Sequence, residues 1–564
     1  MSERSSNLTR RKFMAVGSAA IAGPVLMNMA GMVKDAGAAE KKYDFIGEKS
    51  CDLVVLGGGG SGMIAAVRAA QMTGKKVIVL EKAASTGGAA QYAGTIRTFG
   101  SKWQKKRNLP DTTADYARDM MDLVYWRLDE KLVLNGLLGT GQFFDWLCEI
   151  GGDIEDLFVV GQYTGAIKTD PYGPQIDSEK AKKRIGRFVI DMMKEKCETY
   201  NVEVLTKHPA VDVEVKNGRI VAVIAKSEAG HIRVTCRACV MSLGSWINNE
   251  EVLKKCYPKF VGLKQYMDPS EHMNPNYTGD GIPLAEKAGA FVDYDSFVLR
   301  LMGPIWDYAR DHGTSKAFLA MAQSPYIITV NLNGLRYSAE PVAHIGRFSD
   351  GHVQIEQPRG QSYDIFDENT LAAEFARPKC SMNAGDMDSL ACYPLTYMKP
   401  FEETRLPEKM EDVRSSIKEG FDKNDPFMFR ADTLEELADK IGVNKKNFLE
   451  TVKKYNESCE KGVDFDFFKR KDALVPIKKP PYYAFLGKLM TDGAFGGVQV
   501  NPDMQAYKPD GSLVEGLYVT GDFASGRFIN LGGVKRQVLN DISWAFSSGF
   551  LAGTNAGKYL EGLA

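Results

Sequence analysis

Residues 52–82, DLVVLGGGGSGMIAAVRAAQMTGKKVIVLEK, constrain this chain more than any other stretch. The unbroken apolar run at residues 53–56 predicts a strand buried on both faces, as in a parallel sheet. Gly57, Gly59 and Gly62 follow at G-x-G-x-x-G spacing. The first glycine permits a tight turn, the second the approach of a pyrophosphate, and the third close packing of the next helix. Residues 63–72 are alanine-rich and helix-forming, and free N–H groups at the start of such a helix attract phosphate. Residues 77–80 predict a second buried strand. Glu81 ends it, about 20 residues beyond the last glycine, where a carboxylate accepts both hydroxyls of an adenosine ribose. A glycine-rich turn alone is as easily steric. Strand, glycines, helix, strand and terminal acid in this order predict an ADP-containing cofactor, with NAD and FAD both open.

The 564 residues are 44% hydrophobic and 25% charged, the balance of a globular chain of several domain-sized units. A formal net charge of -1 and no basic stripe with interleaved aromatics argue against a nucleic-acid partner. At the N-terminus, Arg10-Arg11 precedes a mildly apolar stretch over 15–33 and the small residues Ala36-Gly37-Ala38. That order predicts a twin-arginine export signal over 1–39, hence a periplasmic or outer-face location. No other stretch reaches the roughly 18 unbroken apolar residues of a membrane span.

Nine cysteines are scattered, an odd number that makes a disulfide framework a poor expectation. Cys236 and Cys239 form a C-x-x-C inside a strand-like alternation, with no histidine after Cys239 and no second pair. They read as strand residues, and no metal site is expected.

Residues 109–150 and 178–200 carry helical patterns. Short strands are expected at 202–206, 210–216 and 220–226, with Asn217-Gly218 as a hairpin turn, and another at 231–240. Thr278-Gly279-Asp280-Gly281 precedes a helix over 282–290. Between 301 and 491 aromatics, Met and Pro are common and alternation is poor, which reads as an inserted unit whose clearest helices are 434–442 and 445–460. The glycine-rich character returns at 492–497. A strand at 516–520 runs into Gly521-Asp522, and a last helix covers 540–558.

These landmarks, with Gly87-Gly88, Ser242-Leu243-Gly244, Asn333-Gly334-Leu335-Arg336-Tyr337 and Phe495-Gly496-Gly497, resemble the fumarate reductase/succinate dehydrogenase flavoprotein superfamily. The resemblance covers nearly all of the chain beyond the signal. It is strongest to soluble exported bacterial members that reduce activated carbon–carbon double bonds. It implies an α/β fold with an α+β insert: a Rossmann-like FAD-binding domain over 40–300 and 492–564, split by a capping domain over 301–491. It implies FAD, held by Gly57, Gly59, Gly60, Ser61, Gly62, Glu81, Lys82, Thr86, Gly87, Gly88, Ala89, Val211, Gly244, Asp280, Gly521, Asp522 and Val538. Relatives that tether FAD covalently use a histidine in the loop at 85–94. This loop has none, so non-covalent FAD is expected.

The catalytic positions depart from the family. Matched by counting, the two histidines that clamp a dicarboxylate fall on Leu301 and Gly493, beside Gly496. The proton-donating arginine falls on His344, and its relay glutamate and arginine fall on Ala320 and Gln323. One clamp arginine is kept, at Arg536. A dicarboxylate bound without those histidines would bury an unpaired charge at a cost of several kcal/mol, so fumarate is an unfavourable substrate. Leu301 and Gly493 imply an apolar, roomier pocket. The resemblance thus implies an enoate or enone reductase in which Arg536 steadies developing enolate charge and His344 protonates carbon, with Tyr337 and Tyr92 as alternative proton donors. With no haem or iron–sulfur motif in the chain, electrons are expected from a separate donor such as a membrane-linked cytochrome c, as in anaerobic respiration. Two other readings stand beside this one: a flavin dehydrogenase of a ketosteroid-like compound, and a flavin carrier without turnover of its own.

Overall fold

The sheet order follows from the burial of its strands. Leu53–Leu56 and Val77–Leu80 are buried at every position, as the apolar runs predict, and such strands need a neighbour on each side. They lie inside a six-stranded sheet of order Gln505–Tyr507, Leu513–Val519, Ala238–Met241, Leu53–Leu56, Val77–Leu80, Glu203–Leu205. All pairs are parallel except the edge pair of Gln505–Tyr507 with Leu513–Val519. Counted along the chain, the five parallel strands run 3-2-1-4-5, the order of a doubly wound α/β sheet. The order reverses between Leu53–Leu56 and Ala238–Met241, and the carboxyl ends of those two strands form the crevice where such sheets bind ligands.

This computed structural model describes residues 43–93, 96–123, 126–152, 154–162, 172–176, 183–263, 275–302, 321, 324–338, 340, 350–376, 410–524 and 541–563. By contact, the chain divides into residues 1–46 and a unit over 47–564, which holds everything that follows. The export signal expected over 1–39, Arg536, His344, Val538, Ala320 and Gln323 lie outside the described residues. Among the described residues no helix is long and apolar enough to cross a membrane.

Two helices cover one another beside the sheet. Gly60–Thr73 packs along the last helix, Asp541–Gly562, which also meets Glu130–Gly151. Small residues let the first pair approach: a Cβ on Gly549 would lie 2.4 Å from the Ser61 carbonyl, and one on Gly553 2.5 Å from that of Ala65.

Ala210–Lys216, Arg219–Lys226 and His231–Thr235 run antiparallel in a separate four-stranded sheet, with a turn at Asn217-Gly218 as expected. The strand expected over 231–240 is in fact two. The chain leaves the antiparallel sheet at Thr235 and joins the parallel one at Ala238. Between them the Arg237 and Ala238 amides both donate to the Asp52 carbonyl, and this shared acceptor turns the chain from one ladder into the next. Cys236 sits at that break and Cys239 in the second strand, both buried and free.

A further four-stranded antiparallel sheet has the order Ile328–Asn331, Gln361–Asp367, Tyr482–Lys488, Met428–Ala431. Poor alternation over 301–491 hid it, because Gln361–Asp367 is buried at all but its first position. Its helices Leu434–Ile441 and Lys445–Lys461 match expectation within a residue. The helix expected at 282–290 spans Gly281–Lys287. Residues 492–495, read as part of a glycine-rich stretch, belong to a strand, Met490–Phe495, paired antiparallel with Val298–Met302.

Candidate cofactor and substrate site

At the reversal of strand order the three glycines meet different surroundings. Gly57 has φ +96°, and a Cβ there would lie 2.1 Å from the Ser242 carbonyl at the end of the neighbouring strand. A Cβ on Gly62 would lie 2.0 Å from the Gly57 carbonyl, so this position must be bare for the helix to start where it does. Around Gly59 a Cβ would meet nothing within 4 Å. This open position caps the start of Gly60–Thr73, and a pyrophosphate bound at a helix N-terminus needs such room.

A second glycine loop lies against the first. Gly59 and Gly87 form a parallel bridge, and the Gly87 amide donates to the Gly58 carbonyl at 2.8 Å. The Thr86 side chain is buried over Gly58, and a Cβ on Gly60 would lie 2.6 Å from that of Ala90. Gly88, Ala89 and Tyr92 share a short 3-10 helix. Gly186, near the start of the Ile185–Thr199 helix, holds this loop in place: its amide donates to the Ala93 carbonyl at 3.0 Å.

Glu81 is oriented by backbone. Its Oε2 accepts from the Gly58 amide and its Oε1 from the Ala83 amide, each at 2.7 Å. Each carboxylate oxygen accepts more than one hydrogen bond, so capacity remains for the two ribose hydroxyls. Val211 falls in a register shift of its strand pair, between Ala210 and Asp212. Such a residue is left out of the ladder, and its peptide groups are available to a ligand. Lys82 and Asp280 pair with each other at 2.7 Å, and Thr278 bridges them, accepting from Lys82 and donating to Asp280. Beside them, a Cβ on Gly244 would sit 3.5 Å from the Tyr277 ring.

Gly521 and Asp522 follow the strand Leu513–Val519. A Cβ on Gly521 would lie 2.8 Å from Ser61 Oγ, and its amide donates to Ser548 Oγ at 3.0 Å. Ser61 and Ser242 share a hydrogen bond at 2.6 Å. Thr520 Oγ1 is buried with no partner among the described residues, an orphan of the kind that a bound group satisfies. The sequence reading missed Ser242, Ser548 and Thr520 as site residues. Their signal was weak, since a hydroxyl at the end of a buried strand or inside a helix looks like any packing serine. The open space at Gly59, the tethered Glu81, the bulge at Val211 and the orphaned hydroxyl together fit FAD.

The positions expected on the substrate side lie on the ladder joining Val298–Met302 to Met490–Phe495. Leu301 pairs with Thr491 and Arg300 with Gly493, across a register shift. The two positions matched to the clamp histidines thus lie on adjoining strands. Leu301 is 1% exposed within the main core, and Gly493 is half-buried. Gly496 is held by its amide, which donates to the Asp522 carbonyl at 3.2 Å, so this turn touches the cofactor loop directly. Tyr337 is half-buried, whereas Tyr92 is 52% exposed.

Residues 52–533 match the family described as FAD binding domain. The chain belongs to that family. FAD is its cofactor, and the protein is a flavoprotein oxidoreductase. This flavoprotein is 26% identical to a vinyl phenol reductase of Lactiplantibacillus plantarum, over 90% of this chain and 97% of that one. It is 26% identical to an NADH:acrylate oxidoreductase of Vibrio harveyi, over 90% of this chain but only 50% of that longer one. It is 25% identical to a urocanate reductase of Eggerthella lenta, over 90% and 74%. Its fold is that of a flavocytochrome c3 fumarate reductase in an open conformation, with TM-score 0.60 at 19% identity over 99% of this chain and 83% of the other. A 3-ketosteroid-delta4-(5alpha)-dehydrogenase of Rhodococcus jostii RHA1 shares it with TM-score 0.62 at 20% identity, over 93% and 99%.

Proposed function

We propose that this protein reduces an activated carbon–carbon double bond, in an α,β-unsaturated acid or enone other than fumarate, acting on the CH–CH group. The observation that carries the reading is the near full-length relation to a vinyl phenol reductase, joined to the residues at the clamp positions. Leu301, buried in the core, and Gly493, without a side chain, supply no side-chain hydrogen bond to a second carboxylate. A dicarboxylate there would leave a charge unpaired at a cost of several kcal/mol.

When bound and reduced by the external donor, FAD would supply the hydride that the β carbon of the substrate takes up. The chain's own part is to place that carbon, steady charge and deliver a proton. Arg536 pairs the substrate's one carboxylate or carbonyl and stabilises the negative charge that develops on it. His344 protonates the α carbon, with Tyr337 as the alternative donor. Residues 301–491 act as a capping domain inserted into a Rossmann-like FAD domain formed by 40–300 and 492–564, and FAD is held without a covalent bond. The protein is exported by the twin-arginine route to the periplasm or the outer face of the cytoplasmic membrane, and draws electrons from an external donor such as a membrane-linked cytochrome c.

Anaerobic reoxidation of the reduced flavin by a panel of enoates, aromatic acrylates, enones and fumarate tests the reading. Rapid reoxidation by non-fumarate acceptors is expected. A response to fumarate alone would overturn it, and bleaching of the oxidised flavin by saturated ketones would reverse the direction.

A further inference from the structure

Three of the exposed large apolar side chains lie in one turn. Val463, Phe465 and Phe468 sit on the turn after the Lys445–Lys461 helix, with Phe465 73% and Phe468 81% exposed. Leu335, also exposed, precedes Arg336, whose guanidinium lies 4.8 Å from the Phe467 ring. The turn holds three phenylalanines, one packed inward on a cation and two directed to solvent.

This turn is built rather than loose. Asp464 is buried, and its carboxylate accepts from the amides of Asp466, Phe467 and Lys469 and from Arg336. The Phe468 amide closes on the Asp464 carbonyl at 3.0 Å. Phe468 has φ +56°, a conformation rarely adopted by a bulky residue. Backbone strain and exposed rings are therefore held in place by a buried ion network, an arrangement that marks a functional surface.

The surrounding charge identifies the occupant. Lys461 and Lys471 flank the turn, exposed and without an ion pair among the described residues, and the Lys471 stem lies 3.3 Å from where a Cβ on Gly462 would be. Arg470 pairs with Asp472, and Asp466 is the exposed acid inside the turn. Phe465 and Phe468 make no ring contact with each other among the described residues, so a protein partner would need a socket for each. A lipid interface takes single aromatic rings at its headgroup boundary without one, while its phosphates pair with flanking lysines. We propose that the turn at 462–471 docks this protein reversibly on an anionic membrane surface. The proposal is independent of which double bond is reduced.

Co-sedimentation of the FAD-loaded enzyme with phosphatidylcholine vesicles, with and without phosphatidylglycerol, tests it. Binding to the phosphatidylglycerol vesicles is expected, weakened by salt. The pair Phe465→Ser and Phe468→Gly should lower the partition by about 100-fold, the loss of two inserted rings. Glycine relieves the positive φ, so this variant should keep its flavin and its melting temperature. Lys461→Glu with Lys471→Glu should abolish the preference for phosphatidylglycerol. Absence of vesicle binding, or binding unchanged in both variants, would overturn the proposal. So would a wild-type dimer in sedimentation velocity that the phenylalanine variant converts to monomer, because a second copy would then cover the patch.

Discussion

The amide of Gly58 donates to Glu81 Oε2 at 2.7 Å, so the glycine turn and the acid that ends the second strand are one unit. The Ala83 amide holds the other carboxylate oxygen at the same distance. A carboxylate fixed at both oxygens loses little freedom when a ribose arrives. Glu81→Gln replaces one acceptor oxygen by a donor and sets it against an amide. FAD affinity should fall about 10- to 100-fold, the worth of a charged hydrogen bond or two. Titration of apoprotein with FAD measures it, and an unchanged affinity would remove Glu81 from the site.

Gly59 and Gly62 separate ligand binding from folding. Gly62→Ala drives a methyl to 2.0 Å from the Gly57 carbonyl and should destabilise the protein with or without flavin. Gly59→Ala meets nothing within 4 Å in the protein itself. It should leave the melting temperature of the apoprotein unchanged while weakening FAD binding. Equal thermal loss in both apo variants would contradict the open space at Gly59.

Arg536→Ala should lower kcat by about 100- to 1000-fold, the scale for losing a donor to a developing oxyanion. The flavin content, read from the absorbance ratio, should not change. Full activity with every acceptor would move the assignment away from substrate chemistry.

Asp464 gives the acid limb of stability a specific source. Burial pushes its carboxyl up, but the bonds and charge of Arg336 and the amides of the turn outweigh this and hold it below the usual range. The unfolded chain therefore takes up the proton first. The stability contributed is complete above the ordinary Asp pKa, about 3.9, and is lost as pH falls through the lower folded value. Asp464→Asn should cost about 3 kcal/mol at neutral pH, because Arg336 keeps only one of its two carboxylates. Denaturant titrations at pH 7 and pH 3 should show the difference from wild type shrinking at the lower pH, and an equal cost at both would refute the assignment.

Burial also silences the C-x-x-C pair. Desolvation pushes the thiols of Cys236 and Cys239 well up, leaving little thiolate to react. Iodoacetamide at mildly alkaline pH should leave both unmodified in the native enzyme and label them after unfolding, as mapped by mass spectrometry. Native labelling at either residue would restore a redox reading.

The cofactor half was legible because its signals are local. A turn that tolerates no Cβ must show glycine, and a strand buried on both faces must show an apolar run, as at residues 53–56 and 77–80. The pairing of Leu301 with Thr491 was not legible, since two strands nearly 200 residues apart leave no mark in either alone. Nor was the buried group of Arg336, Glu340, Asp464 and Lys469. Arg336 and Glu340 sit at helical spacing and look like a surface pair. Asp464 and Lys469 reach them only through tertiary structure. The break between Thr235 and Ala238 stayed hidden for a related reason, because alternation continues while the chain changes partners.

The strand Leu513–Val519 and the last helix come from the final portion of the chain, yet they border the reversal point of the sheet and bear on Ser61 and Ala65. During synthesis, the nucleotide turn at 57–62 is therefore made early and completed late. Until residue 553 has emerged, the helix that begins at Gly60 lacks the partner its small residues are shaped to receive. A chain shortened before Asp541–Gly562 would keep the glycine motif but lose the helix packed against Gly60–Thr73.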